Sequence, residues 1–332
     1  MTVDLPAPQD NPEHFAATLE RRCVDHDIDL VVPVSEETPY VAALRERAVP
    51  VFTSAPDTVL TLHDKLSFIR RAAEAELSVP ATVRADHDSK TIRQTAFVRK
   101  PRFSCSGRDV SFHAAGSDVR EDSAFIVQQR IEGDAINVFG IAVDGVLRLS
   151  SAYRGRLVDG SVAIAFEREE QANACTSWAS RFVAATGYTG LIAFDFIVDD
   201  DGIAWPLECN PRATSGIHFL NPAAIIAAIT NDELPIDHVK PVTRMAEKWS
   251  CFTRYLASLG TRDATRQAWQ VLTGFSDVSW QRDDPWPFLT MPFNSWRILL
   301  KSRQKNHTFA SAAVADIEWR PTERAGGMCD DR

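Results

Sequence analysis

Residues 190–220, GLIAFDFIVDDDGIAWPLECNPRATSGIHFL, constrain this chain more than any other stretch. Residues 191–198 are apolar and β-prone, and so are 203–209 apart from Pro206. Asp199-Asp200-Asp201-Gly202 between them reads as a hairpin turn. If Asp201 and Gly202 are the central residues of a two-residue type I′ turn, facing residues have numbers that sum to 403, and Asp195 and Glu208 meet that condition. Facing side chains in such a ladder have Cβ atoms roughly 4.5–5.5 Å apart. Two carboxylates at that separation repel, and one is driven towards protonation unless a cation lies between them. Asn210 falls on the same face as Glu208 by strand alternation and adds a neutral oxygen. Asp, Glu and Asn oxygens are the hard ligands that Mg²⁺ takes, with phosphate oxygens and water completing the shell.

The plainer alternative is a hairpin with a solvated acidic turn, and Asp199, Asp200 and Asp201 fit it. Asp195 does not, because it interrupts an apolar strand between Phe194 and Phe196. Composition narrows the field further. A chain of 332 residues with 45% apolar and 24% charged residues is long enough for two or three subdomains around a substantial core. No window approaches a membrane span, and the net charge of −9 argues against general affinity for nucleic acid or anionic membranes. Six scattered cysteines without a Cys-x-x-Cys pair suit a reducing cytoplasm and argue against a structural zinc.

The acid on one strand followed by Glu-x-Asn-Pro-Arg on the next, here Asp195, Glu208, Asn210, Pro211 and Arg212, resembles the metal-binding hairpin of the ATP-grasp superfamily, in its carboxylate–amine ligase branch. The resemblance extends, less sharply, over residues 29–219. It implies an α/β (α+β) architecture in which two α+β subdomains grip ATP. A shortened Rossmann-like pre-ATP-grasp domain would occupy residues 1–60. Linker helices and the small subdomain, with a phosphate-covering lid, would span 61–135, the large subdomain with the hairpin 136–238, and a mostly helical extension 239–332.

In chain order, Asn11-Pro12 reads as the cap and first position of a helix carrying Phe15, Leu19 and Cys23 on one face. Residues 30–34 and 49–52 read as short strands around a helix over 38–47, a βαβ unit. The family opens with a further strand and turn that this sequence does not show, so either the N-terminus is shortened or substrate is held in an unusual way. Residues 57–77 read as one helix, with Leu62, Leu66, Ile69 and Ala73 in helical period. Within it His63-Asp64-Lys65 resembles the family's Asp-Lys pair, which implies that Lys65 reaches the nucleotide phosphates; the alternative is a solvated surface lysine. A strand over 96–101 places Lys100 near its end, and the loop 102–108 offers backbone N–H groups and hydroxyls to phosphate, Ser104, Ser106 and Gly107 among them. A β-prone segment, 109–113, returns. Cys105 lacks a neighbouring His and is rejected as a nucleophile.

Residues 125–133 resemble the family's hinge, which implies that adenine lies against Gln128, Gln129 and Ile131 and that Glu132 or Asp134, or neither, holds the ribose. Residues 138–143 and 146–151 form a hairpin across Asp144-Gly145. In Tyr153-Arg154-Gly155-Arg156 the resemblance aims Arg154 at the γ-phosphate or an acyl phosphate; surface exposure is the alternative. A helix over 169–186, burying Ala172, Cys175, Ala179, Phe182 and Ala185 and stopped by Gly187, should pack against the metal-binding hairpin. His218 either touches substrate or is structural. Residues 222–229, 249–259 and 264–272 read as helices, 283–287 as a rigid turn and 296–301 as amphipathic. The tail packs on the core or makes a homodimer contact.

The resulting expectation is an ATP- and Mg²⁺-dependent ligase, with Mn²⁺ as an alternative ion, acting on a small-molecule carboxylate and an amine through an acyl phosphate. Asp195, Glu208 and Asn210 would hold the metal, Lys65 and Lys100 the triphosphate, and Arg212 the acyl phosphate. A kinase, a carboxylase working through carboxyphosphate, and a non-catalytic ATP-binding subunit are the alternatives.

Overall fold

The structure is a computed structural model that describes residues 3–47, 49–104, 107, 109–159, 162–305 and 309–319. Asn11 accepts a hydrogen bond from the His14 backbone N–H at 2.9 Å, and Pro12 opens α1 (Pro12–Asp25), which buries Phe15 and Cys23. The helix expected over 38–47 forms as α2 (Thr38–Ala42) followed by a 3₁₀ turn, Ala43–Arg47. The two flanking strands shrink to one parallel bridge between Val31 and Val51. Pro33 and Pro50 lack the N–H groups a longer ladder needs. An antiparallel bridge from Thr53 to Gly190 fastens this unit to the rest of the chain.

The single helix expected over 57–77 is two helices, α3 (Pro56–His63) and α4 (Lys65–Glu74). Asp64 breaks them with extended backbone, and its carboxylate accepts from the Leu66 N–H at 3.2 Å and the Ser67 hydroxyl at 2.6 Å. Asp is a strong N-cap, and here it restarts a helix within an apolar period that runs on regardless. Leu62 and Ile69, on either side of the break, enter the same core.

The strands follow as β1 (Thr82–Arg84), β2 (Phe97–Pro101), β3 (Ser111–His113), β4 (Phe125–Gln129), β5 (Asp134–Val143), β6 (Val146–Asp159), β7 (Val162–Arg168), β8 (Gly190–Val198), β9 (Ala204–Asn210), β10 (Arg244–Ala246) and β11 (Ser276–Asp277). They make a four-stranded sheet in the order β1-β4-β2-β3 and a seven-stranded sheet in the order β11-β10-β7-β6-β5-β8-β9. Asp144 and Gly145, both at positive φ, form the two-residue turn between β5 and β6 that the sequence predicts. Between the sheets the chain passes through Gly133, at φ 149°, where an added Cβ would lie 2.1 Å from the Val198 carbonyl oxygen. Only glycine lets the connection cross that close to the tip of β8.

Helix α5 (Asn173–Thr186) begins later than the expected 169, and Trp178 and Val183 are buried where Ala185 was expected. It covers one face of the large sheet, with Phe68, Trp178, Phe182, Phe194 and Phe196 packed ring to ring. The opposite face carries Phe139, Leu191 and Ala193 against α6 (Pro222–Ile229). The C-terminal extension is mostly helical, as α7 (Lys248–Ala257), α8 (Arg262–Gly274), α9 (Trp286–Lys305) and α10 (Phe309–Val314), but it also adds β10 and β11 to the sheet edge. No helix among the described residues is long and apolar enough to cross a membrane. Trp178 joins the aromatic cluster and donates its indole N–H to the Ser78 carbonyl at 3.0 Å, which ties α5 to the end of the α4 segment. Trp178→Ala should therefore lower the unfolding free energy by about 3–5 kcal/mol, read from chemical denaturation.

Candidate functional site

Asp195 faces Glu208 as predicted, but by another route. The loop is wider than a two-residue turn and spans 199–203, with Asp199 accepting from the N–H groups of Asp201 and Ile203 and from the Trp205 indole at 2.7 Å. Asp199 is thus a structural acid rather than a solvated one. The wider loop shifts the outer ladder by one residue, to pairs such as Val198–Ala204, and a bulge between Pro206 and Glu208 shifts it back. Pro206 has no N–H to give the ladder, which suits it to a bulge on an edge strand. The residue left over, Leu207, turns its carbonyl to the Lys100 ammonium, which donates to it at 2.9 Å.

Strand alternation separates the two faces of β8. Phe194 and Phe196 enter the α5 core, and Asp195 points to the other side. There Lys65 Nζ lies 3.3 Å from a Glu208 carboxylate oxygen and also donates to the Ser104 carbonyl at 3.0 Å. Asn210 Nδ2 lies 3.5 Å from Glu208 Oε1. Lys65 and Lys100 are both buried, so Lys65 is not the solvated surface lysine that the alternative reading supposed. The Glu208 side chain keeps 29% of its surface exposed, so the acid pair remains reachable from outside. Burial and the neighbouring Glu208 charge hold the Asp195 carboxyl well above the usual range. Burial would also raise Glu208, but Lys65, Lys100 and the hydrogen bond from Asp195 outweigh it and lower its pKa. Burial, reinforced by Lys65, brings Lys100 down to about 8.

A pair of facing, half-buried acids with an amide oxygen donor beside them is a donor set short of a full octahedral shell. Among the described residues no group of three His, Cys, Asp or Glu side chains could hold a metal alone. The set fits a hard cation that brings oxygen ligands of its own.

Arg212 donates to Glu36 at 2.8 Å and to the Asn210 side-chain oxygen at 3.3 Å. Glu36 is buried, and burial pushes its carboxyl up although Arg212 opposes the shift. Arg154 is a correction. Tyr153 faces Asn137, which faces Asp195, so Arg154 points to the opposite side of the sheet. There it pairs with Asp134 at 2.8 Å and Glu169 at 2.6 Å and lines a separate cleft of about 320 Å³ with Cys175. The phosphate role comes from the resemblance alone, and alternation along β6 gives the Asp195 face to Tyr153 and the opposite face to Arg154.

At the hinge, the Gln128 side chain is buried and donates to the Thr82 hydroxyl at 3.0 Å, and Gln129 lies at the end of β4. Ile131 is half-buried and Glu132 exposed, while the other ribose candidate, Asp134, is engaged by Arg154. Gly107 is exposed, whereas Cys105 and Ser106 lie outside the described residues. His218 stacks on Phe166, with ring centroids 5.9 Å apart.

Sequence reasoning missed Glu36, Asn137, Tyr153 and His63. Glu36 follows the first strand segment of a βαβ unit, the end at which α/β folds bind ligands, so that signal was available. His63 is buried beside Lys65, Arg212 and Glu208, and its ring lies 5.8 Å from Phe103.

Two sheets joined through one hinge, each sending charged side chains to a common cluster, define a two-lobed α+β fold with its polar site at the junction. Residues 62–216 match the profile of the family described as ATP-grasp domain, and this part of the chain is an ATP-grasp domain. No curated protein matches the chain in sequence. The fold is similar to the L-amino acid ligase of Bacillus licheniformis (16% identity, 68% of this chain and 62% of that one, TM-score 0.53). It is also similar to the biotin carboxylase domain of the Hydrogenobacter thermophilus 2-oxoglutarate carboxylase, solved with MgADP and bicarbonate (11% identity, 70% and 61%, TM-score 0.56). A third is the biotin carboxylase of Campylobacter jejuni (14% identity, 71% and 62%, TM-score 0.55). The chain thus spans about three fifths of each of these structures.

Burial, with Lys65 and Arg212 beside it, lowers the His63 pKa from 6.5 to about 4. The folded state then binds fewer protons, so this stability is present above the ordinary pKa and is lost as pH falls from 6.5 towards 4. His63→Gln should flatten that limb of the acid-unfolding profile, and an unchanged slope in denaturation between pH 7 and 4 would count against it.

Proposed function

We propose that the chain is an ATP- and Mg²⁺-dependent ligase that activates a carboxylate as an acyl phosphate and joins it to an amine, releasing ADP and phosphate. The observation that carries this reading is the Asp195–Glu208 pair between Lys65 and Lys100. Asp195, Glu208 and Asn210 would hold the ion. When bound, it would neutralise charge on the β- and γ-phosphates during transfer. Lys65 and Lys100 add positive charge that stays in place because both stems are buried and both ammonium groups are bonded to backbone carbonyls. The backbone of the hinge near Ile131 would read adenine, and Ser104, Ser106 and Gly107 would meet the phosphates.

A substrate carboxylate oxygen attacks the γ-phosphorus, and the bond to the ADP oxygen breaks. Arg212 steadies the resulting acyl phosphate, since a guanidinium can grip such an anion bidentately. An amine then attacks the acyl carbon, phosphate leaves with the bonding pair, and the amine proton is lost to solvent or a base. Arg212 is held ready by Glu36, so its position is set before substrate arrives. The exposed aromatic residues Trp286, Phe293 and Trp296 on α9 are consistent with a homodimer contact.

A screen of ADP release over carboxylates with and without amine acceptors tests the reaction. Amine-dependent release supports the ligase, release needing bicarbonate marks a carboxylase, and release with an acid but no amine requirement marks a kinase. Glu208→Gln should cut Mg²⁺-dependent turnover by at least about a hundredfold while the protein stays folded, in line with losses seen when charge stabilisation is removed. Near-wild-type turnover would sink the assignment. Because the Asp195 carboxyl is held above its usual range, it costs stability once pH exceeds the ordinary carboxylate value, so metal-free Asp195→Asn at pH 8 should be at least as stable as the parent. The same variant should lose the rise in melting temperature that MgATP gives the wild type.

A further inference from the structure

We propose that Trp319 is a positioning residue for the nucleotide site, holding the entry of the phosphate-covering loop through Phe103. This rests on the ligase reading only in taking that loop to face nucleotide. After α10 the chain returns to the N-terminal unit, more than two hundred residues away in sequence. The Gln9 N–H donates to the Asp316 carbonyl at 3.2 Å, and the Tyr40 hydroxyl lies 3.5 Å from the Glu318 carbonyl. Ile317 lines a cleft with Pro8, Phe15, Val31 and Pro33, and Glu318 is buried, close enough for its charge to act on Glu36. The segment is therefore docked on the unit that supplies Glu36.

From that anchorage the Trp319 ring reaches Phe103, with centroids 5.2 Å apart and planes at 55°. Phe103 sits between two residues already committed to α4. Arg102 grips Asp64 with hydrogen bonds of 3.1 and 2.7 Å, and its carbonyl accepts from the Lys65 N–H at 3.1 Å. Ser104 takes the Lys65 ammonium on its carbonyl. A shift at Phe103 therefore moves the partners of Lys65 on both sides. The indole and the His63 ring both pack on Phe103, and of the two only the indole comes from outside the α3–α4 segment. Fixing a loop in its binding shape before ligand arrives strengthens binding without any new contact to the ligand.

The test uses the full-length protein and measures MgADP affinity by calorimetry for Trp319→Ala, Phe103→Ala, the double variant and Trp319→Phe. Each alanine variant should bind about three- to tenfold more weakly, the range an aromatic pair supports. The double variant should bind no more than about twofold more weakly than the worse single one, because both remove the same contact. Trp319→Phe should recover affinity to within about twofold, which a general loss of folding would not allow. Wild-type affinity in Trp319→Ala, losses that multiply in the double variant, or no recovery in Trp319→Phe would each overturn the inference alone. A wild type that binds no MgADP would overturn the nucleotide reading and this inference with it.

Discussion

The site depends on one electrostatic problem and its local solution. Asp195 and Glu208 face each other across two strands, and neither can be fully ionised there without a positive charge nearby. Lys65 and Lys100 supply that charge from separate elements, α4 and β2. Lys100 itself stands on the small sheet and bonds a carbonyl of the large one, so the charge balance also joins the two lobes. Buried ammonium groups need partners as much as the acids do, which makes the arrangement mutually required.

Much of this was legible in the sequence, though not always for the reason first apparent. The Asp195–Glu208 facing came from a two-residue turn that does not form; the wider loop and the bulge at Leu207 shift the register in opposite senses and cancel. A single sequence carries no clear sign of a bulge except the proline beside it. Asp64 is a second case. Apolar periodicity reports which side of a helix is buried but not whether the backbone is continuous, so the break was invisible to it while the capping residue stood in plain view. Arg154 is carried over from the resemblance, and its facing depends on how β6 pairs with β5 across a register shift between their turn and Tyr153. The acids of the hairpin were found because they lie close in sequence. Glu36, His63 and Tyr153 come from elements that only the folded chain brings to them.

Convergence of distant segments also explains the division of labour in the fold. The ATP-grasp domain matched over 62–216 carries the acids and lysines, whereas Glu36 comes from before it and Glu318 from after it. The ends of the chain therefore shape the corner where Arg212 sits, and the central domain shapes the charged cluster beside it. That corner is the part of the site least represented in the matched profile.

The proline and bulge on β9 have an effect beyond the cluster. β9 is one outer strand of the seven-stranded sheet, and β11, the other, is only two residues long. An outer strand with a regular row of unpaired N–H and C=O groups invites a neighbouring molecule to add its own strand. Pro206 breaks the regular run of N–H groups along β9, the bulge interrupts its spacing, and the far side offers almost no length to pair with. The irregularity that brings Lys100 to the acids thus also guards the molecule against edge-to-edge aggregation.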